Sequence, residues 1–253
     1  LAVGAAAGSV GLVIGVVTLT GVGFKLSTII TMASQAVAGG VGSLIPAAVA
    51  TPQTLTLIVA LTMTALVCIL LGCGVPTTAT YIIMVTVAAP TLTLLGVEPL
   101  VAHFFVFYYG VLADITPPVA LAAYAAAGMA GSDPFKTGNT AFRLGMAKAL
   151  VPFVFVFSPS LLIVAKGYTH HDFVITFVGC VLGITLLAAT LSKFFLVEMT
   201  RGEQALCWVA ALLLIAPGLM PTLIGGALAV PIVVRHWVAW RSASTSASTS
   251  RAV

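Results

Sequence analysis

Charge is what this sequence has least of. Of 253 residues only ten are Lys or Arg and six Asp or Glu, 6% together, against 60% hydrophobic residues and a mean hydropathy of +1.21. A soluble globular surface normally carries about 25% charged residues, so that class is excluded and the chain reads as an integral membrane protein. Runs such as 54–71 and 173–191 are apolar on every face. The alternating segments of an outer-membrane barrel are therefore absent, and the fold class is an all-α membrane protein, a polytopic helical bundle. Cysteine is scarce too: Cys68, Cys73, Cys180 and Cys207 show no metal-ligand spacing and sit in or beside apolar runs, as small buried hydrophobes do. No basic run is interleaved with aromatics, so the net charge of +4 argues for membrane sidedness and against a nucleic-acid partner. Gly-x-Ser-x-Gly, His-Glu-x-x-His, a phosphate loop and an Asp-rich pair are all missing. An enzyme is not expected.

What is present is a set of apolar segments of membrane-crossing length, each needing about 20 residues, interrupted at particular places. The opening run, 2–24, carries Gly4, Gly8, Gly11 and Gly15 at the spacing that favours close helix packing. It begins inside an apolar stretch without an initiator Met or a cleavage site, which reads as a piece of a longer protein. Residues 25–50 are less apolar and suit either an interfacial helix or a span facing other protein. These two segments form a first region, 1–50. A second region, 51–148, holds two arms, 54–71 and 77–95, joined by Gly72-Cys73-Gly74-Val75-Pro76. Each arm is slightly short for a span, and glycine and proline prevent one continuous helix, so 54–95 reads as a re-entrant hairpin. Residues 99–130 then read as one crossing split by Asp114 and Pro117-Pro118. The stretch 131–148 is a polar connection. A third region, 149–240, contains the apolar runs 149–165 and 173–191, a charged loop at 193–203, and a run over 205–234 broken by Pro217-Gly218 and Pro221, either a kinked span or a second re-entrant piece. The Ser/Thr/Ala tail 241–253 reads as disordered.

Irregular backbone survives at membrane depth only where protein or a water-filled cavity surrounds it. The two polar, helix-breaking islands, 72–81 and 113–119, are therefore the candidates for a transport site. Half-helix N-termini leave N–H groups unpaired and carry partial positive charge, which suits an anionic substrate group, and unwound carbonyls suit a cation. Thr77, Thr78, Thr80 and Thr116 are the candidate substrate ligands; Gly72, Gly74, Asp114, Thr116 and Pro117 are the candidate cation ligands. An ionisable residue inside a bilayer costs roughly 2.5 to 3.5 kcal/mol on insertion scales. Asp114 is accordingly read as a cation ligand or proton carrier, or as the N-cap of the second half-helix. His103 is either a proton relay or a satisfied packing residue; His170 and His171 beside Asp172 read as loop residues, and the aromatic cluster from Phe104 to Tyr109 as packing. The coupling ion, sodium or a proton, is the only cofactor expected.

At these residues the sequence resembles the large membrane subunit of the tripartite ATP-independent periplasmic (TRAP) transporters. Within it the chain is similar to the branch served by TAXI-type binding proteins, whose small and large membrane subunits are often fused. The likeness runs from Gly11 to about Pro159 and is strongest in 72–81 and in Gly110-Val111-Leu112-Ala113-Asp114-Ile115-Thr116-Pro117-Pro118-Val119-Ala120-Leu121-Ala122-Ala123-Tyr124. It implies an elevator-type transporter of inverted repeats, with this chain holding the C-terminal repeat. It also implies sodium coupling in the better-known branches, a bacterial inner-membrane location, a small membrane subunit or its fused equivalent, and a periplasmic protein that delivers an organic acid or amino acid. By that likeness Gly72, Gly74, Thr77, Thr78, Thr116 and Pro117 are site residues. The dicarboxylate and sialic-acid branches carry an Asp where this chain has Pro76, and an apolar residue where it has Asp114. The carboxylate is thus expected to have moved from the hairpin to the helix break while facing the same cavity. The alternatives are a sodium/carboxylate symporter that needs no binding protein and a non-transporting membrane scaffold. If the connections 131–148 and 193–203 share a side, that side holds Lys136, Arg143, Lys148, Lys193 and Arg201 against Lys166 opposite, and is expected to be cytoplasmic.

Overall fold

The computed structural model describes residues 2–42, 51–75, 77–164 and 168–250, all of them helical or in the turns between helices apart from one isolated β-bridge, Phe194 to Glu198. Pro76 and Lys166 lie outside the described residues, as does the stretch 43–50 that closes the first predicted region. Five helices among the described residues are long and apolar enough to cross a membrane, six if one bent pair is a single span. The chain packs as two compact units, 1–142 and 143–253.

In the first unit, α1 (Ala2–Thr20) and α2 (Val22–Gly42) are separate helices, bent by 64° at Gly21, whose φ of +65° only glycine adopts without strain. The sequence suggested one run to residue 24. Of the glycines expected to pack closely, Gly8, Gly11 and Gly15 do not within this chain, since a methyl group added at any of them would meet nothing within 4 Å; the surroundings of Gly4 lie outside what is described. The described part of the following segment is α2, which packs on α3. Ser27 and Ser34 are buried on α2, and Ser27 donates to the Val87 carbonyl while accepting from Thr91 at 2.7 Å.

The hairpin is built from α3 (Pro52–Gly72) and the pair α4 (Thr77–Val87) and α5 (Ala89–Leu94). Thr51 caps α3 by accepting from the Thr54 N–H, and Pro52 at the first helical position starts it earlier than apolarity alone indicates. The arms are consequently 21 and 18 residues, long enough to cross, which corrects the expectation of short arms. The second arm kinks at Ala88 because Pro90 has no N–H for the Thr86 carbonyl. Gly96, at φ +88°, turns the chain into α6 (Pro99–Ala113). Residues 114–120 are not helical, Pro117-Pro118 is cis, and α7 (Leu121–Ala130) follows. Beyond it the polar connection proves to be an amphipathic helix, α8 (Pro134–Gly145). It starts on Asp133, whose carboxylate accepts from the Lys136 N–H, and it rests on α7 through Gly138, where a methyl group would fall 2.7 Å from the Tyr124 ring.

In the second unit the run 149–165 does not form one span. A 3₁₀ turn leads into α9 (Val151–Phe157), which stops at Ser158 because Pro159 disfavours helical geometry there. His170 and His171 open α10 (His170–Ser192), in which Thr169 caps the Asp172 N–H, so they belong to a helix and not to a loop. The charged loop ends at a capping box: Thr200 and Glu203 bond each other's backbone N–H at the start of α11 (Arg201–Ile215). The Thr200 backbone hydrogen bond, helped by its hydroxyl and by Arg235 and His236, holds the Glu203 carboxyl below the usual range. A turn at Ala216-Pro217-Gly218 leads back along α12 (Leu219–Ser250), so the last apolar stretch is a pair of packed helices and not one kinked span. Close approach of the pair requires glycine, since a methyl group at Gly225 would lie 2.8 Å from the Ala210 carbonyl. The low-complexity tail expected to be disordered continues α12 as helix to Ser250; Ala and Ser propagate a helix already nucleated by the apolar turns before them. All four cysteines are free, with Cys68, Cys180 and Cys207 buried.

Candidate functional site

Both interruptions meet inside the first unit. Gly72, the last residue of α3, is buried against α6 so closely that a methyl group there would lie 2.6 Å from Ala113 Cβ. Gly74, at φ +80°, turns the tip, and a side chain on it would meet Val119 at 3.4 Å. The hairpin tip therefore touches the broken helix on both sides of Asp114. At the centre the Thr77 hydroxyl, on the first residue of α4, donates to Asp114 Oδ2 at 2.8 Å.

Asp114 is half-buried and ends α6. It is not the side-chain N-cap of the second half-helix. That helix is preceded by Ala120, at φ +36° and with no side-chain cap, and the N–H of Ala122 is satisfied by the Asp114 backbone carbonyl at 3.1 Å. The main chain takes over the capping, and the carboxylate is left to face the positive end of α4.

The remaining oxygens of the two breaks are largely engaged. Val75 N–H donates to the Gly72 carbonyl, Thr116 N–H to Ala113, and Ala120 N–H to Thr116. Thr80 is buried and donates to the Val75 carbonyl at 3.1 Å; Thr116 is buried and donates to Leu112 at 2.8 Å. These two hydroxyls tie down the unwound backbone, so Thr80 and Thr116 close the breaks. Thr78 is exposed beside Thr77, and Pro117 is half-buried in the break. The candidates thus divide: Thr77, Asp114 and the two glycines converge, Thr78 faces outward next to them, and Thr80 and Thr116 act as staples.

Tyr81 lies one helical turn beyond Thr77. Its hydroxyl is 3.0 Å from His103 Nδ1, and its ring packs edge-on against Phe107. These residues, with Pro99, Leu100 and Phe104, line a groove of ≈ 510 Å³ between α4 and α6. His103 is therefore a partnered residue. Its spacing of four from Thr77 to Tyr81 was the sequence signal that α4 offers both hydroxyls to α6. Among the described residues no group of three His, Cys, Asp or Glu side chains is placed to hold a metal ion.

Comparison with known families gives a match to a model described as tripartite ATP-independent periplasmic transporter, DctM component, over residues 1–167. No curated protein and no solved structure gives a significant match. The matched range contains the hairpin, the broken helix and the whole Thr77–Asp114 constellation, and it ends before α10.

Proposed function

We infer, because this chain belongs to the DctM component family of tripartite ATP-independent periplasmic transporters, that it is the part of an inner-membrane permease that couples entry of an organic anion to an ion at Asp114. The permease role and the membrane location follow from the family and from the crossing-length helices. The coupling ion, the substrate class and the partners are the proposal.

The observation that carries it is the single hydrogen bond from Thr77 to Asp114. A sodium ion needs several oxygens at once; in the two breaks the Gly72, Val75, Ala113, Asp114 and Thr116 carbonyls already accept protein hydrogen bonds, and Asp114 is the one acidic side chain there. A lone carboxylate is enough to carry a proton. Proton coupling is therefore the favoured reading. It also supplies a coupling rule. Ionised Asp114 neutralises the positive end of α4 and repels a second carboxylate by like charge. Once protonated, it leaves that helix end with Thr77 and Thr78 available to an anionic substrate. Proton and substrate then load together, and neither loads well alone.

The proposal extends to a TAXI-type periplasmic protein as the source of substrate and to a small membrane subunit, separate or fused. The test uses the full-length protein in proteoliposomes with its binding protein. Accumulation of labelled carboxylates should follow an inward proton gradient and be indifferent to replacement of sodium by choline. Accumulation that needs sodium would overturn proton coupling, and uptake without any binding protein would favour the independent symporter.

The sidedness proposal has its own check. With Cys73 replaced, Glu98→Cys should react with an impermeant thiol reagent from the periplasmic side and Lys136→Cys only from the cytoplasmic side. Reaction of both from one side would discard that topology.

A further inference from the structure

The groove between α4 and α6 has no part in the coupling scheme, although it begins one helical turn from the anion end. Thr77 and Tyr81 are four residues apart on α4, about 6 Å along one face. On the facing side Leu100, His103, Phe107 and Asp114 fall within about 60° of arc around α6 and its end. The groove and the Thr77–Asp114 pair therefore lie along one stripe of each helix. The residues lining the groove, Tyr81, Pro99, Leu100, His103, Phe104 and Phe107, include no Asp, Glu, Lys or Arg. Phe104 and Phe107 are 39% and 41% exposed, and Tyr81 stands edge-on to Phe107 with ring centres 5.6 Å apart. An exposed aromatic wall of this kind favours a further ring packed edge-on or offset against it.

We propose that this groove selects the substrate: it takes the apolar, ring-sized tail of a monocarboxylate whose carboxylate sits at the start of α4. This deepens, and rests on, the anion site argued above at Thr77 and Thr78. The volume suits such a tail, since ≈ 510 Å³ lies within the range of about 300 to 1,000 Å³ usual for small-molecule sites. Charge selects as well. The start of α4 is the positive end of a helix, whereas the far end of the groove adjoins half-buried Glu98, the residue before Pro99. A second carboxylate on the tail would lie among aromatic side chains and approach Glu98, losing hydration with no fixed cation opposite it. The Tyr81 hydroxyl beside it is already engaged with His103. A neutral ring meets neither penalty and buries apolar surface.

The test is thermal unfolding of the full-length protein in detergent and mildly acidic buffer, the condition in which the coupling rule loads the site. It is titrated with 4-phenylbutyrate, butyrate or adipate, without a binding protein to impose its own selectivity. Each has a carboxylate on a short chain, and the far end is a ring, a methyl group or a second carboxylate. 4-Phenylbutyrate should stabilise at a concentration about tenfold lower than butyrate, as burial of much of one ring gives, and adipate should do no better than butyrate. Phe107→Ala should remove most of that advantage. Phe104→Ala, at an exposed position, should do the same to a smaller degree, so a misfolded Phe107→Ala does not decide the outcome. Thr77→Val should raise the concentration needed for both monocarboxylates alike. Equal potency of butyrate and 4-phenylbutyrate would overturn the groove and leave the anion site standing, and tighter binding of adipate would give the groove to a second carboxylate instead. An advantage that survives both phenylalanine changes would trace to the detergent and overturn the groove as well. Stabilisation by none of the three would overturn the anion site and the groove together.

Discussion

If Asp114 couples entry to a proton as proposed, Asp114→Asn is expected to abolish proton-driven accumulation by the full-length protein in proteoliposomes supplied with a binding protein, and to leave substrate exchange intact. The asparagine side chain matches the protonated carboxyl in shape, and its carbonyl oxygen still accepts from Thr77 Oγ1, which donates to Asp114 Oδ2 at 2.8 Å in the native chain. It carries no charge to oppose an anion at the start of α4, so the loaded state forms at every pH. Loss of a carboxylate from membrane depth also removes a desolvation cost of roughly 2.5 to 3.5 kcal/mol, so the variant should be at least as stable as the native protein. The measurement is paired: net uptake against an imposed pH gradient should fall to background, while counterflow of labelled against unlabelled substrate should continue and lose its pH dependence. Persistence of pH-driven accumulation would remove Asp114 from the mechanism, and loss of both activities would assign it to substrate binding. A Thr77→Val change, which deletes the donor and keeps the volume, should weaken both activities without uncoupling them.

A second large effect is expected at Gly72, and it tests geometry where the first tests chemistry. A side chain there must occupy space 2.6 Å from Ala113 Cβ, 3.1 Å from Thr80 and 3.2 Å from Met84. Ala113 is part of a helix and cannot withdraw as a long flexible side chain would, so the hairpin tip has to move. Over-packing of this kind typically costs 1 to 3 kcal/mol. Gly72→Val should eliminate uptake and exchange alike, since it displaces Thr77 from Asp114. Gly72→Ala combined with Ala113→Gly should restore much of the activity, because the lost space is returned across the contact. Failure of the reciprocal pair to recover would mean that Gly72 is needed for turning the chain and not for the approach of α3 to α6. Gly8→Val, by contrast, meets nothing within 4 Å and should be silent within this unit.

The two breaks were legible because glycine and proline act locally: Gly74 adopts a positive φ and Pro117 removes a donor whatever surrounds them. Their convergence was inferred from membrane depth, since unwound backbone has to find protein partners there. Side-chain direction was not legible. Whether Asp114 would cap α7 or face the hairpin depends on which group reaches Ala122 first, and the backbone carbonyl does so. Thr80 and Thr116 read as ligands by type, and a threonine hydroxyl can also donate its proton to a carbonyl of its own chain. The structure shows that outcome at Thr116, while Thr80 donates to Val75 across the break. The break at Gly21 was hidden because that residue sits in a glycine-rich run where small residues suggest packing. Helix α8 was hidden for the opposite reason, since its Lys136 and Arg143 read as loop polarity until their helical spacing is drawn out.

One consequence follows from the two hydroxyls on α4. Thr77 fastens one end of that helix to Asp114, and Tyr81 fastens it to His103, eleven residues earlier on α6 and so about 16 Å away along its axis. Two fasteners, one turn apart on α4 and about three turns apart on α6, oppose swivelling of α4 on α6, so the two helices form one plank. Gly74 before the plank and Gly96 between its halves turn the chain, each in a backbone conformation that other residues resist. The Asp114 carboxylate and the Thr77 hydroxyl that bonds it therefore lie on the same plank.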